Sequence, residues 1–176
     1  MEDETDLLRR ARSGDLAAFD ALVGPLLRPA CQLAFAILRD WQEAEDAVQE
    51  ASFKAWRAMP RLREGTTAVR PWMLTIVANE ARSRRRGRWW SVVRLPELHA
   101  AGWQVGPEES VSVSTDLKQA MRRLNHVQRL ILFLHFYLDL PVEEVGAVLG
   151  LSPAAVRSRM YRATRSLRPA LREEPA

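Results

Sequence analysis

Residues Leu140–Leu167 read LPVEEVGAVLGLSPAAVRSRMYRATRSL. The pattern predicts two helices joined by a very short turn. Pro141 suits the first position of a helix, where its missing N–H costs nothing. Val145, Val148 and Leu149 give that helix an apolar side, and Gly150 with Leu151 makes the turn. Ser152 is a good N-cap, and Pro153 again suits the first helical position. Pro169 is expected to stop the second helix near Arg168.

On a wheel of roughly 100° per residue, Val156, Met160, Ala163 and Leu167 fall on one side of that second helix. Ala154, Arg157, Ser158, Tyr161, Arg162 and Arg165 fall on the other, with no acid among them. Such a helix fits the major groove of DNA, where Arg can fork onto guanine while further Arg or Ser groups hold phosphates. The tight turn and the unmixed basic face favour DNA binding over an ordinary solvated face.

The chain has 176 residues, 47% of them hydrophobic, enough for one domain or two small ones. No apolar run approaches the roughly 20 residues needed to span a bilayer, and MEDETD at the start is acidic rather than apolar. No membrane insertion and a cytoplasmic location are therefore expected. Cys31, the single cysteine, has no disulfide partner or metal-ligand companion and sits in ACQLAFAIL, where a small buried core residue is expected. His99, His126 and His135 are scattered, and no paired carboxylates, cysteine cluster or Gly-rich phosphate loop appears. No catalytic residue, metal or cofactor is expected.

Net charge is +4, unevenly spread. Residues 1–60 carry 7 basic and 11 acidic groups, residues 61–95 carry 9 and 2, residues 96–115 carry none and 3, and residues 116–176 carry 10 and 6. Two basic blocks suggest two places that touch nucleic acid, and the acidic leading block suggests a basic protein surface as partner.

Helical periodicity dominates throughout, and no segment alternates convincingly as a strand. Short helices are expected over Asp6–Ala11 and Leu16–Leu27, with Pro25 and Pro29 kinking or dividing the region before an apolar helix over Ala30–Leu38. Asp40 and Glu43 match a capping box for a helix running to Ala58. Its core side is Trp41, Ala44, Val48, Ala51 and Ala55; Asp46, Gln49, Glu50, Phe53 and Arg57 cluster opposite. Such an acid–amide–acid patch beside an exposed Phe suits a protein partner and equally a solvated face. Residues 60–71 read as a loop, followed by a helix over Trp72–Arg86 with Thr75, Asn79, Arg82 and Arg86 in one stripe and Trp72 at its edge. Hydrogen-bonding, cationic and aromatic groups in one stripe suit melted DNA. Residues 89–115, interrupted by Pro and Gly, read as a flexible linker. Beyond it, Thr115 or Asp116 caps a helix with Leu117, Ala120, Met121 and Leu124 on one face, and Gln128–Leu138 reads as a helix apolar nearly all round and so buried. The fold expected is all-α, two small helical domains joined by that linker, with boundaries at 1–88, 89–115 and 116–171.

These motifs together resemble a sigma-70 family RNA polymerase sigma factor of the small extracytoplasmic-function group. Glu43-Ala44-Glu45-Asp46-Ala47-Val48-Gln49-Glu50 with Lys54-Ala55-Trp56-Arg57 is similar to conserved region 2.2. The resemblance implies that Asp46, Gln49, Glu50 and Phe53 contact core RNA polymerase at the clamp of its largest subunit. Pro71-Trp72-Met73-Leu74, Ile76, Ala78-Asn79 and Arg84-Arg85-Arg86 are similar to regions 2.3 and 2.4, which implies that Arg61, Arg63, Arg70, Trp72, Thr75, Asn79, Arg82 and Arg86 hold the melted minus-10 element. Ala120-Met121-Arg122-Arg123-Leu124, Arg129 and Glu144-Val145-Gly146 resemble region 4. The resemblance then implies minus-35 contacts from Arg157, Ser158, Tyr161, Arg162 and Arg165, docking to the flap of the second polymerase subunit, and an anti-sigma factor as a further partner. The implied function is promoter recognition, melting and transcription initiation by a dissociable polymerase subunit; the alternative is a stand-alone helix-turn-helix regulator. Asn125 stands where the family usually has Pro, and Ala155 lacks the hydroxyl that the family often places there.

Overall fold

The structure, a computed structural model, describes residues 3–62, 69–91 and 115–172. Among them every regular element is helical and none is a strand. The chain divides into two units, Met1–Val93 and Arg94–Ala176.

The first unit begins with α1 (Glu4–Arg12) and α2 (Leu16–Val23). Asp15 caps α2, accepting from the Ala18 N–H at 3.1 Å, and its carboxylate also accepts from Arg10 Nε of α1 at 2.9 Å, so one side chain starts α2 and ties it to α1. The Ala18 bond, and then Arg10, hold the Asp15 carboxyl below its ordinary pKa. A 3₁₀ turn, Gly24–Leu26, containing Pro25, divides the expected Leu16–Leu27 helix, and α3 (Leu27–Leu38) starts earlier than expected, with Pro29 in its first turn. By length and composition alone Leu16–Leu38 could cross a bilayer, as core helices of soluble proteins also can. Here it is two helices broken by a turn, with Ala30, Leu33, Ala34 and Ile37 fully or nearly buried.

Asp40 caps α4 (Trp41–Ala58) through the Glu43 N–H at 3.1 Å. The expected capping box is half present, because the Glu43 carboxylate turns instead toward Arg84, 3.7 Å away. Ala44, Ala47, Val48, Ala51 and Ala55 are buried against α3 and α5 (Val69–Ser91). Trp41 is only half-buried and stacks on Phe35 with ring centroids 4.3 Å apart. Residues read as loop at one end and as linker at the other belong to α5, which begins at Val69 and ends at Ser91. Arg63 and residues 92–114, most of the expected linker, lie outside the described residues. Cys31 is half-buried rather than buried, and burial, then the nearby Glu45 charge, pushes its thiol pKa up.

The second unit begins with α6 (Thr115–Arg123). Asn125 then caps α7 (His126–Leu132) in a complete capping box: its side chain accepts from the Gln128 N–H and the Gln128 side chain accepts from the Asn125 N–H, both at 2.9 Å. The residue that replaces the usual Pro thus has a structural task of its own. The expected buried helix over Gln128–Leu138 is corrected here. The chain widens into a π turn over Phe133–Tyr137, closed by the Leu138 N–H on the Phe133 carbonyl at 3.0 Å. That turn leaves Phe136 64% and Tyr137 49% exposed while Leu134 and Leu138 stay inside.

Pro141 is the N-cap of α8 (Val142–Leu149) rather than its first helical residue. Gly150 ends α8 in the left-handed region at φ 67°, and the Leu151 N–H returns to the Gly146 carbonyl at 2.9 Å. Ser152 caps α9 (Pro153–Arg172), accepting from the Ala155 N–H at 3.2 Å. Pro169 does not stop this helix. A proline costs a helix one hydrogen bond, and here the helix carries that loss to Arg172. Val156, Ala163 and Leu167 are buried, and Ala120, Leu124 and Leu132 share one core with Ala163 and Leu167.

Gly146 is needed at the turn for space. A Cβ there would lie 2.7 Å from the Leu151 carbonyl oxygen, a backbone atom that cannot rotate away. Gly146→Ala is expected to cost the second unit about 1–3 kcal/mol, the range for overpacking a tight contact. Faster amide hydrogen exchange across Val142–Leu149 would report the loss, and unchanged exchange would refute it.

Candidate functional site

Three polar surfaces stand out, each on one side of one helix. The first is the outer side of α4. Asp46, Gln49 and Phe53 are exposed and Glu50 is half-exposed, so the residues expected to meet a protein are brought together as one face. Phe53 keeps 56% of its surface in water, and the Arg57 guanidinium carbon sits 5.8 Å from its ring centroid. The acids are not isolated. Arg84 of α5 donates from Nη2 to the Asp46 carbonyl at 3.3 Å and reaches the Asp46 carboxylate at 3.9 Å. Lys54 lies 3.6 Å from Glu50.

The second surface is the outer stripe of α5. Asn79 and Arg86 are exposed; Arg70, Trp72, Thr75 and Arg82 are half-buried. Asn79 Oδ1 accepts from Arg82 Nη1 at 3.3 Å, which orients both groups. Burial, and then the charges of Arg86 and Arg85, depress the Arg82 pKa. Its smaller part, the repulsion from Arg86 and Arg85, is what a polyanion would relieve. Thr75 is committed inward: its hydroxyl donates to the Pro71 carbonyl at 2.7 Å, leaving only acceptor capacity outward. Arg61 is exposed at the end of a 3₁₀ turn, Met59–Arg61, away from the stripe in sequence.

The third surface is the outer face of α9. Arg157, Ser158, Tyr161, Arg162 and Arg165 are all exposed, Tyr161 to 63%. Arg162 Nε donates to the Ser158 carbonyl at 3.3 Å. Glu143 of α8 reaches Arg157 Nη1 at 3.3 Å, a contact that treating Glu143 as a plain solvated position misses. Both side chains are more than half exposed, so the pair is weak and leaves Arg157 available. Arg129 is structural. Its Nη1 donates to the Leu124 carbonyl at 2.7 Å and to the Met121 carbonyl at 3.5 Å, covering carbonyls at the end of α6. Burial lowers its pKa.

Among the described residues no group of three or more His, Cys, Asp or Glu side chains could hold a metal ion. By chemistry, one face offers an exposed aromatic among acids, and the other two offer guanidinium groups suited to polyanions.

The family model for sigma-70 region 2 matches residues 22–91, and that for sigma-70, region 4 matches residues 114–167. The RNA polymerase sigma-H factor of Pseudomonas aeruginosa is 30% identical over 194 residues, covering 98% of this chain and 97% of the relative. The chain belongs to the sigma-70 family of RNA polymerase sigma factors. Within it, the chain is also 26% identical over 167 residues to the ECF RNA polymerase sigma factor SigL of Mycobacterium tuberculosis, covering 93% of this chain and 94% of SigL. The sigma factor RpoE of Bartonella quintana, solved in complex with the anti-sigma factor NepR, matches with a TM-score of 0.68 at 26% identity, over 92% of this chain and 99% of that one. The α4 and α5 faces both fall in region 2 and the α9 face in region 4. Sigma factors are regulatory subunits rather than catalysts.

The α5 geometry separates residues that share one stripe in the sequence. Thr75→Val is expected to leave affinity for a single-stranded oligonucleotide within about twofold of wild type, since no outward donor is lost. Arg82→Ala is expected to lower the slope of log affinity against log salt by about 0.7 for each phosphate contact removed. Fluorescence-anisotropy titrations at several salt concentrations measure both, and a larger loss for Thr75→Val than for Arg82→Ala would reverse the assignment.

Proposed function

We propose that the chain is an extracytoplasmic-function sigma factor whose three faces have three different targets. Asp46, Gln49, Glu50 and Phe53 bind the clamp of the largest polymerase subunit. Arg61, Arg63, Arg70, Trp72, Asn79, Arg82 and Arg86, with a lesser part for Thr75, hold opened minus-10 DNA. Arg157, Ser158, Tyr161 and Arg162 read the minus-35 duplex, and Arg165 holds a phosphate. On this reading residues 1–88 and 116–171 are the working domains and 89–115 connects them, and region 4 docks on the flap of the second subunit. The protein acts in the cytoplasm, forms no bond itself and uses no cofactor.

The observation that carries this reading is the coexistence of the α4 face and the two cationic faces in one chain. A stand-alone helix-turn-helix regulator needs the α9 face and leaves α4 without a task. Melting follows from differential binding: a surface that binds unpaired bases and their phosphates shifts the DNA toward the open state. Duplex contact by α9 meanwhile supplies anchorage and register. The Bartonella quintana relative is held by an anti-sigma factor, which supports an anti-sigma partner for this chain as well.

Run-off transcription with purified core polymerase tests the reading: the chain should start transcripts at a cognate promoter that core alone ignores. Promoter binding without core, and no stimulation with it, would favour the repressor alternative. Asp46→Ala and Gln49→Ala are expected to weaken holoenzyme formation. Arg157→Ala should cost about 1–3 kcal/mol of discrimination at one promoter position, whereas Arg165→Ala should weaken all sequences alike and reduce the salt slope by about 1. Equal losses on specific and random DNA for Arg157→Ala would rule out base reading by that side chain.

A further inference from the structure

Glu80 sits on α5 at the seam with α4, its side chain only 12% exposed. Neither face described above includes it, yet it organises the charges behind one of them. Lys54 Nζ lies 2.5 Å from Glu80 Oε2, and Arg84 Nε donates to Glu80 Oε1 at 3.2 Å. The same two cations also lie beside the α4 acids, Lys54 from α4 itself and Arg84 from α5. Lys54 is 3.6 Å from Glu50, and Arg84 is 3.7 Å from Glu43 and 3.9 Å from the Asp46 carboxylate. Both cations therefore make hydrogen bonds to the Glu80 carboxylate and longer ionic contacts to the α4 carboxylates, Arg84 also donating to the Asp46 backbone carbonyl at 3.3 Å.

That asymmetry has an electrostatic consequence. The α4 acids have to present charge outward to a basic surface. Lys54, half exposed on a flexible stem, and Arg84, 28% exposed, are both able to fold over those acids and cancel them. A largely shielded carboxylate on the far side of each cation competes for it, and competes well, because partial shielding from water strengthens the attraction.

We infer that Glu80 is a positioning residue for the polymerase-facing surface: it holds Lys54 and Arg84 back on the α5 side, so that Asp46 and Glu50 keep their charge available. The inference rests on the reading of α4 as the core-binding face. The titration behaviour agrees with it. Burial alone would raise the Glu80 carboxyl pKa, but the hydrogen bonds from Lys54 and Arg84 outweigh burial and hold it below the ordinary value. Lys54 is raised, chiefly by its bond to Glu80.

The test is titration of the full chain with core RNA polymerase at low and high salt. Glu80→Gln removes the charge and keeps the shape. It is expected to weaken association by about fivefold at low salt, with the difference shrinking at high salt. Adding Lys54→Met and Arg84→Met to Glu80→Gln deletes the cations that would collapse and is expected to recover most of the affinity. A purely structural role predicts that the triple variant binds no better than Glu80→Gln. That result, or Glu80→Gln binding like wild type, overturns the inference. Where Glu80→Gln melts below the assay temperature, Glu80→Asp decides: it keeps the charge and loses a methylene, so retained affinity supports positioning by charge and lost affinity overturns it. Asp46→Asn is run alongside. Wild-type affinity for Asp46→Asn would mean that the α4 reading has failed. A loss there without recovery in the triple variant would mean that only the role of Glu80 has failed.

Discussion

Alanine sets the distances in region 2. Ala44, Ala47, Ala51 and Ala55 on α4, Ala78 and Ala81 on α5, and Ala30 and Ala34 on α3 are all fully buried. Helix axes separate according to the side chains at their contact, and a methyl group separates them least. Close axes bring the rims of neighbouring helices within reach of a single side chain. Arg84 can then touch its own helix and α4 at once, and Lys54 can cross to Glu80. Larger residues along the same seam would push those rims apart and leave each charge to water. The small-residue seam is thus what makes the α4 and α5 surfaces parts of one body.

Region 4 meets a different constraint. A short helix and a long one must cross at a tight turn, and the turn is made by backbone. Gly146 removes a side chain where the Leu151 carbonyl arrives, Gly150 takes the left-handed conformation, and Ser152 restarts the chain as a helix. These features fix the start of α9, and hence which residues point outward. Arg157, Ser158, Tyr161, Arg162 and Arg165 follow from the helical period once that start is fixed. Recognition chemistry and turn chemistry are therefore encoded separately: one varies along the outer face, the other is confined to a few positions beneath it.

Much of this was legible in the residues. The helix periods, the Asp15, Asp40 and Ser152 caps and the outward sets on α4 and α9 follow from local rules that operate within a few residues, so the sequence carries them directly. The α5 stripe was legible as a set but not in its energetics, because the Thr75 hydroxyl chose its own backbone over solvent. The capping box at Asn125 and Gln128 was readable by spacing and obscured by comparison with a family pattern that has Pro there. The π turn was not readable: an apolar run such as QRLILFLHFYL looks the same whether each turn holds the usual number of residues or one more, and only the extra residue turns Phe136 and Tyr137 outward. The Glu80–Arg84 pair has helical i,i+4 spacing and could have been marked. Its reach to Glu43, Asp46 and Lys54 depends on how closely two helices pack, which no local pattern states.

The length of α9 has a mechanical consequence. Its 20 residues make a rod of about 30 Å. Most of the exposed face proposed to meet duplex, Arg157 to Arg162, precedes Ala163, while Ala163 and Leu167 hold the second half of the rod in the core with Ala120, Leu124 and Leu132. Reading and anchorage thus share one lever. A small shift of α6 at the clamped end is carried along the rod to the reading end, with no need for an intervening chain of contacts. On the proposed reading of α9, a partner that grips α6 would act on the duplex-facing side through that shared core without touching it.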